Sequence, residues 1–139
     1  MIILLPYVEK DEMYKNCIAS LKANTENYQL IELPDPERKG FVKKINEGLI
    51  KTKDDVIIIH TDMLFKKNWL KDLLSYVKEN QDVGIFGCKL IYPSGQIQSA
   101  GGQIFGGFNI GQGSLDMGQY NQTNLVPYVT FAGNYIRRE

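Results

Sequence analysis

Short apolar runs alternate with longer amphipathic stretches over the first two-thirds of the chain. The apolar runs are rich in Ile, Leu and Val without polar alternation, which is typical of strands buried on both faces. These predicted strands cover residues 2–8, 30–33, 56–59 and 83–87. Between them, apolar residues recur at helical spacing, and the first helix has an N-cap candidate in Asp11. The predicted helices cover residues 12–23, 41–52 and 68–80.

This order of strands and helices predicts the fold class. Strand and helix alternate three times, which is the pattern of right-handed βαβ crossovers and a parallel sheet. We therefore expect an α/β fold of the Rossmann-like type, with a mostly parallel sheet flanked by helices. The length of 139 residues indicates a single domain.

The pattern changes after Gly87. Residues 89–92 and 96–105 are predicted to form two strands joined by the turn Pro93-Ser94-Gly95. Residues 101–118 are rich in Gly, Gln and Asn and have no period, which indicates a long loop. A last strand is predicted at 126–131, before a basic end. The domain thus divides into a βαβ core, 1–92, and a β-rich portion, 93–139.

Composition narrows the classes of partner. Lys and Arg together number 16, as do Asp and Glu, so the global charge does not indicate nucleic acid or an anionic membrane. No apolar run approaches the roughly 20 residues of a membrane span. The first eight residues are too short for a signal peptide, so we expect a cytoplasmic protein. Cys17 and Cys88 fit no metal or redox spacing and are predicted to be reduced core thiols.

The main candidate site follows the third predicted strand. The run 56–59 ends in His60-Thr61-Asp62, and ligands of open α/β sheets bind outside the carboxyl ends of the strands. Asp62 is therefore a candidate ligand for Mg²⁺ or Mn²⁺ bridging a diphosphate. The alternative is that Asp62 caps the turn before Phe65. His60 is either a secondary contact to the metal or to a ribose, or a polar group satisfied within the fold.

Other candidates follow the first two strands. Tyr7 and Glu9 end the first strand and are candidates to border a nucleobase, although Tyr7 could equally fill the core. Asp35 follows the second strand and is a candidate for the base or ribose, or a turn residue. The pair Asp54-Asp55 is expected to be solvated, because it enters the third strand from the opposite edge. The chain has no GxGxxG, P-loop or GxSxG motif, which disfavours dinucleotide, P-loop and serine-hydrolase sites.

Several segments together resemble the family 2 type of GT-A-fold glycosyltransferases, in particular its rhamnosyltransferase-like members. The opening strand, the Gly40-Phe41 to Asn46-Glu47-Gly48 helix, and His60-Thr61-Asp62 at the position of the family's DxD signature occur in the family's order. The same holds for residues 83–102 and for the closing segment 133–139. The match covers essentially the whole chain.

The resemblance implies a nucleoside diphosphate sugar as donor, a carbohydrate acceptor and Mn²⁺ or Mg²⁺ as cofactor. Asp62 would be the metal ligand, with His60 as a secondary contact. The residues expected to bind the nucleotide are Pro6, Tyr7, Glu9, Asp35, Asn46, His60 and Thr61.

Three departures limit what the resemblance implies. His60 replaces the first Asp of DxD, and the family's nucleoside-binding Asp is displaced to Pro34 or Asp35. The acidic catalytic base and most of the acceptor-binding half of the family would follow Glu139. Since a general base contributes about 10²–10⁴-fold, we expect weak transfer or only slow hydrolysis from this chain alone. The resemblance implies a domain that is truncated or is completed by another chain, and apolar surface left exposed on the sheet would favour self-association. A non-catalytic binding module of the same fold and, less favoured, a nucleotidyltransferase are the alternatives.

Overall fold

A computed structural model describes residues 1–138 and shows a five-stranded sheet between helices, with a small two-stranded sheet beside it. The helices are α1 (Glu12–Asn24), α2 (Phe41–Ile50) and α3 (Trp69–Glu79). The strands are β1 (Ile2–Tyr7), β2 (Gln29–Pro34), β3 (Val56–Ile58), β4 (Ile85–Phe86), β5 (Leu90–Ile91), β6 (Ile97–Ser99) and β7 (Asn134–Ile136). The α/β class is as predicted, and each of the three predicted helices is present.

The main sheet is mixed, with strand order β2-β1-β3-β7-β4. β1 pairs in parallel with β2 and β3, as the crossover pattern predicts. β7 then lies antiparallel between β3 and β4. Because β4 is antiparallel to β7, it runs in the same direction as β1, β2 and β3. The expectation of a mostly parallel sheet is therefore confirmed for four of the five strands, and β7 is the antiparallel exception that separates β3 from β4.

Two apolar layers hold the sheet. On one face, α1 and α3 pack against β1, β3 and β7 through a cluster that includes Leu5, Cys17, Ile57 and Tyr135. On the other face, α2 packs through Ile45 against the side chains of Leu4, Leu33, Val56 and Ile58. Alternate residues of each strand thus enter opposite cores, which explains the unbroken apolar runs in the sequence.

The β-rich portion differs most from its prediction. The hairpin around Pro93-Ser94-Gly95 is present, with the Tyr92 N–H donating to the Gln96 carbonyl at 2.8 Å. Its second strand ends at Ser99 rather than 105. Residues 101–118 contain no helix or strand, as expected. The predicted strand at 126–131 is wrong: Pro127 lacks an N–H for a ladder, and the final strand of the sheet is β7.

Two side chains tie β7 into the fold. Asp55 accepts hydrogen bonds from the Tyr135 hydroxyl and from the Arg138 N–H, the latter at 2.6 Å. The prediction that Asp55 is merely solvated is therefore wrong, whereas Asp54 is exposed. The Arg137 guanidinium donates to four carbonyl oxygens at the end of α3 and in the loop after it. The acceptors are Val77 at 2.9 Å, Asn80 at 3.2 Å, Val83 at 2.8 Å, and Gln81.

Helix ends and glycines explain the local geometry. Asp11 caps α1 as predicted, its carboxylate accepting from the Tyr14 N–H at 2.9 Å. In α2, a Cβ on Gly48 would lie 2.8 Å from Leu33 Cδ1, so the glycine permits close helix–sheet packing. Both cysteines are free thiols. No helix within residues 1–138 has the length and apolarity to cross a membrane.

Candidate functional site

The parallel strands β1, β2 and β3 end at one edge of the sheet, which we call the carboxyl edge. Their register places Tyr7 beside Pro34 and Leu4 beside Ile58. Asp35 directly follows β2, and His60, Thr61 and Asp62 follow β3 by two to four residues. The topology therefore brings most of the predicted site residues to a common edge, which is where open α/β sheets bind ligands.

His60 is a structural anchor of this edge. Its ring lies 4.7 Å from the Phe41 ring between centroids, and Nε2 is 2.5 Å from the Phe131 carbonyl oxygen. The imidazole thus joins the start of α2 to the chain after residue 128. Because one ring nitrogen already has a carbonyl partner, the reading of His60 as a polar group satisfied within the fold has direct support.

Unlike His60, Asp62 is not engaged by the fold within residues 1–138. It is exposed, and no hydrogen bond or ion pair of its carboxylate occurs among residues 1–138. It does not cap the turn before Phe65, since the Phe65 N–H donates to Ser20 Oγ at 2.7 Å. Asp62 lies near Cys17: burial raises the pKa of the Cys17 thiol to about 11, and the Asp62 charge adds to this. The carboxylate is therefore available to a ligand from solvent.

Asp35 is already engaged by the fold. It is 6% exposed, and its two oxygens accept from the Lys39 N–H at 2.7 Å and the Gly40 N–H at 2.9 Å. Burial alone would raise the pKa of this carboxyl, but the two N–H donors and the charges of Lys44 and Lys39 outweigh it, so the pKa lies below its ordinary value. Asp35 therefore holds the loop that leads into α2. Of the two sequence-based alternatives for Asp35, this supports the turn residue.

The end of β1 contributes an aromatic and a free carboxylate. Tyr7 is half-buried, and its ring packs 5.0 Å from that of Tyr14 in α1. The Lys10 ammonium lies over both rings and forms an ion pair with Glu32 at 2.8 Å. Glu9 is exposed and has no side-chain partner among residues 1–138, and Pro6 is partly exposed. Tyr7 therefore borders the edge and also fills the α1 core.

The start of α2 presents a second polar feature at the edge. Gly40 precedes the helix without any side-chain cap, and α2 has no acidic residue in its first turn. A shallow groove of about 590 Å³ runs along the length of α2, and its lining includes Lys39, Lys43, Asn46, Glu47 and Ile50. Asn46 lies on the outer face of the helix, so the fold does not bring it to the His60 side of the edge. The anion at this helix start is the Asp35 carboxylate, which accepts from the Lys39 and Gly40 N–H groups.

A residue that the sequence analysis missed lies beneath this edge. Asn134 in β7 is fully buried, and within residues 1–138 neither its amide nitrogen nor its amide oxygen has a hydrogen-bond partner. The segment beside it, residues 129–132, contacts His60 through Phe131, and we call it the strap. The sequence carries one signal that could have located Asn134: a polar residue within the short apolar stretch 134–136.

This chain was compared with protein families, curated proteins and solved structures. No family model, no curated protein and no solved structure matches this chain. Residues 1–138 also contain no group of three or more His, Cys, Asp or Glu side chains placed to share a metal ion.

Proposed function

We propose that the carboxyl edge binds a nucleoside diphosphate sugar together with Mn²⁺ or Mg²⁺, and that the chain is the donor-binding part of a glycosyltransferase. The observation that carries the proposal is the state of Asp62. Among the Asp residues at this edge, Asp35 is saturated by backbone N–H groups, whereas Asp62 is exposed and unpaired. A free carboxylate beyond a buried parallel strand suits a hard divalent cation.

The donor set fits such a cation when the ligand supplies further oxygens. Mg²⁺ in proteins is commonly held by one or two carboxylates together with phosphate oxygens and water. Asp62 would hold the metal, and the metal would neutralise the diphosphate as it leaves the sugar. The start of α2 contacts His60 through Phe41, so the positive end of the helix dipole lies on the same side.

The other roles in the reaction are nucleoside binding and removal of the acceptor proton. Tyr7 and Glu9 border the edge from β1 and are proposed to lie beside the nucleoside, with Thr61 next to the metal ligand. No residue of this chain is assigned as the base that takes the acceptor proton. We therefore propose donor binding with slow transfer or hydrolysis by this chain alone, since base assistance is typically worth about 10²–10⁴-fold.

Thermal unfolding with UDP, GDP and dTDP, each with Mn²⁺ and with EDTA, tests the proposal. A ligand at 100 times its Kd adds about 2.7 kcal/mol, which raises the midpoint of a domain of this size by several degrees. We expect a shift that requires Mn²⁺ and is lost in Asp62→Asn. Asp82→Asn is the matched control, because Asp82 is an exposed carboxylate away from the edge.

Two results would contradict the proposal. A shift that is the same in Asp62→Asn as in the wild type would remove Asp62 from the site. The absence of a shift with every nucleotide would favour the alternative, a binding module of the same fold without donor binding.

A further inference from the structure

Asn134 is a buried polar residue whose amide lacks hydrogen bonds among residues 1–138. The residue is 0% exposed, and in the part of the chain that the structure describes neither its side-chain nitrogen nor its side-chain oxygen has a hydrogen-bond partner. Buried polar groups in native proteins are nearly always hydrogen-bonded, and leaving one unpaired is unfavourable. A Leu or Val at this position would pack in β7 without that penalty.

The register shows where the amide lies. Tyr135 packs into the α1–α3 core and Ile136 into the α2 core, so alternation along β7 places Asn134 on the α2 face. On that face it is paired with Ile58, the residue two before His60. Asn134 therefore lies one diagonal step from His60, below the carboxyl edge.

The strap covers this position. The pairing of Phe86 with Tyr135, continued by one residue, places Gly87 beside Asn134. A Cβ on Gly87 would lie 2.6 Å from Val129 Cβ, so the strap rests directly on the glycine. The strap contains no helix or strand. Phe131 holds it through the hydrogen bond to His60 and an edge contact with Phe41, at 6.3 Å between ring centroids.

We infer that Asn134 is a ligand-binding residue of the carboxyl edge, reached when the strap moves away, and that its amide binds vicinal hydroxyl groups of the donor. The identity of the ligand rests on the proposed function. A carboxamide donates and accepts at once, so it can pair with two neighbouring hydroxyls of a ribose or of the transferred sugar. Binding would supply the hydrogen bonds that the closed strap leaves unmade.

Thiol labelling tests the opening without any ligand. In Asn134→Cys, labelling with a maleimide is followed by mass spectrometry of the peptides. We expect the introduced thiol to react at least tenfold faster than Cys17, which is fully buried in the α1 core. Gly87→Ala, which pushes Val129 outward, should accelerate the reaction, whereas Gly84→Ala should not, because a Cβ there meets no atom within 4 Å. Equal rates for the introduced thiol and Cys17 would overturn the inference.

Asn134→Leu tests the ligand. Without ligand, this variant should unfold at a temperature several degrees above that of the wild type, because the unpaired amide is gone. With Mn²⁺, it should bind UDP, GDP or dTDP, or their glucose conjugates, at least tenfold more weakly than the wild type. Weaker binding of the nucleotide and its conjugate alike identifies the ribose hydroxyls, and weaker binding of the conjugate alone identifies the sugar.

The outcomes separate this inference from the proposed function. Unchanged affinities in Asn134→Leu, with a wild type that binds, would overturn the role of Asn134 and leave donor binding intact. A wild type that binds none of these ligands would overturn donor binding and the ligand assigned to Asn134 together.

Discussion

Arg137 is predicted to be the largest single side-chain contribution to the junction between β7 and α3. Its guanidinium donates to carbonyls at the end of α3 and in the following loop, where a helix leaves its last carbonyls without intrahelical partners. A hydrogen bond to a charged group contributes about 1.5–3 kcal/mol, and a cation at a helix C-terminus up to about 2 kcal/mol. The hydrogen-bond and helix-terminus contributions overlap and are not additive. In the variant, water can also hydrogen-bond some of the freed carbonyls, because the site is half-buried. We therefore expect Arg137→Ala to lower the free energy of unfolding by about 3 kcal/mol.

Urea unfolding followed by Trp69 fluorescence measures this loss, since Trp69 lies at the start of α3 and packs against Phe65. Arg137→Lys keeps the charge but not the planar fork, so it should lose about half as much. Arg138→Ala is the matched control. Among residues 1–138 the Arg138 side chain donates one hydrogen bond, to the Leu49 carbonyl at 3.2 Å, so its removal should cost about 1 kcal/mol or less. Equal losses in Arg137→Ala and Arg138→Ala would refute the reasoning.

Two further predictions concern the loop after β6 and the α2 core. The Lys89 ammonium and the Gly118 N–H hold the pKa of Asp116 below its ordinary value. Its stabilising contribution is therefore complete above about pH 4 and is lost as the pH falls through the lowered pKa. Unfolding midpoints between pH 2.5 and 7 should show a shallower acid decline in Asp116→Asn, and an unchanged decline would contradict this. Gly48→Ala should lower the free energy of unfolding by about 1 kcal/mol, because the crowding of Leu33 exceeds the gain in helix propensity; a rise in urea-unfolding stability would contradict it.

The part of the fold that follows from local pattern was predictable. Helical spacing and the Asp11 cap located α1, and the apolar runs located β1, β2 and β3 to within two residues. The position of β7 was not predictable in this way, because three residues carry too little periodicity. Its place in the sheet depends on tertiary contacts such as those of Asp55 with Tyr135 and Arg138.

In the candidate site, too, some features follow from sequence pattern and others depend on tertiary contacts. Parallel topology predicts that residues after β1, β2 and β3 meet at one edge, and the structure brings Tyr7, Asp35, His60 and Asp62 there. Sequence could not distinguish the engaged carboxylate of Asp35 from the free one of Asp62, because that depends on loop geometry. The burial of Asn134 likewise depends on chain segments far apart in the sequence.

The position of β7 has a consequence for the order of folding. Among residues 1–138, β7 is the last strand in sequence order, yet it lies between β3 and β4, and within this range β7 is the strand with which β4 pairs. During synthesis, β1, β2 and β3 can pair as soon as they emerge, whereas β3 keeps an open edge until residues 134–136 leave the ribosome. Contacts between residues about 80 apart, such as Asp55 with Tyr135, form late and slow folding. The nascent chain therefore passes through a stage with an exposed apolar strand edge, when association with other chains competes with insertion of β7.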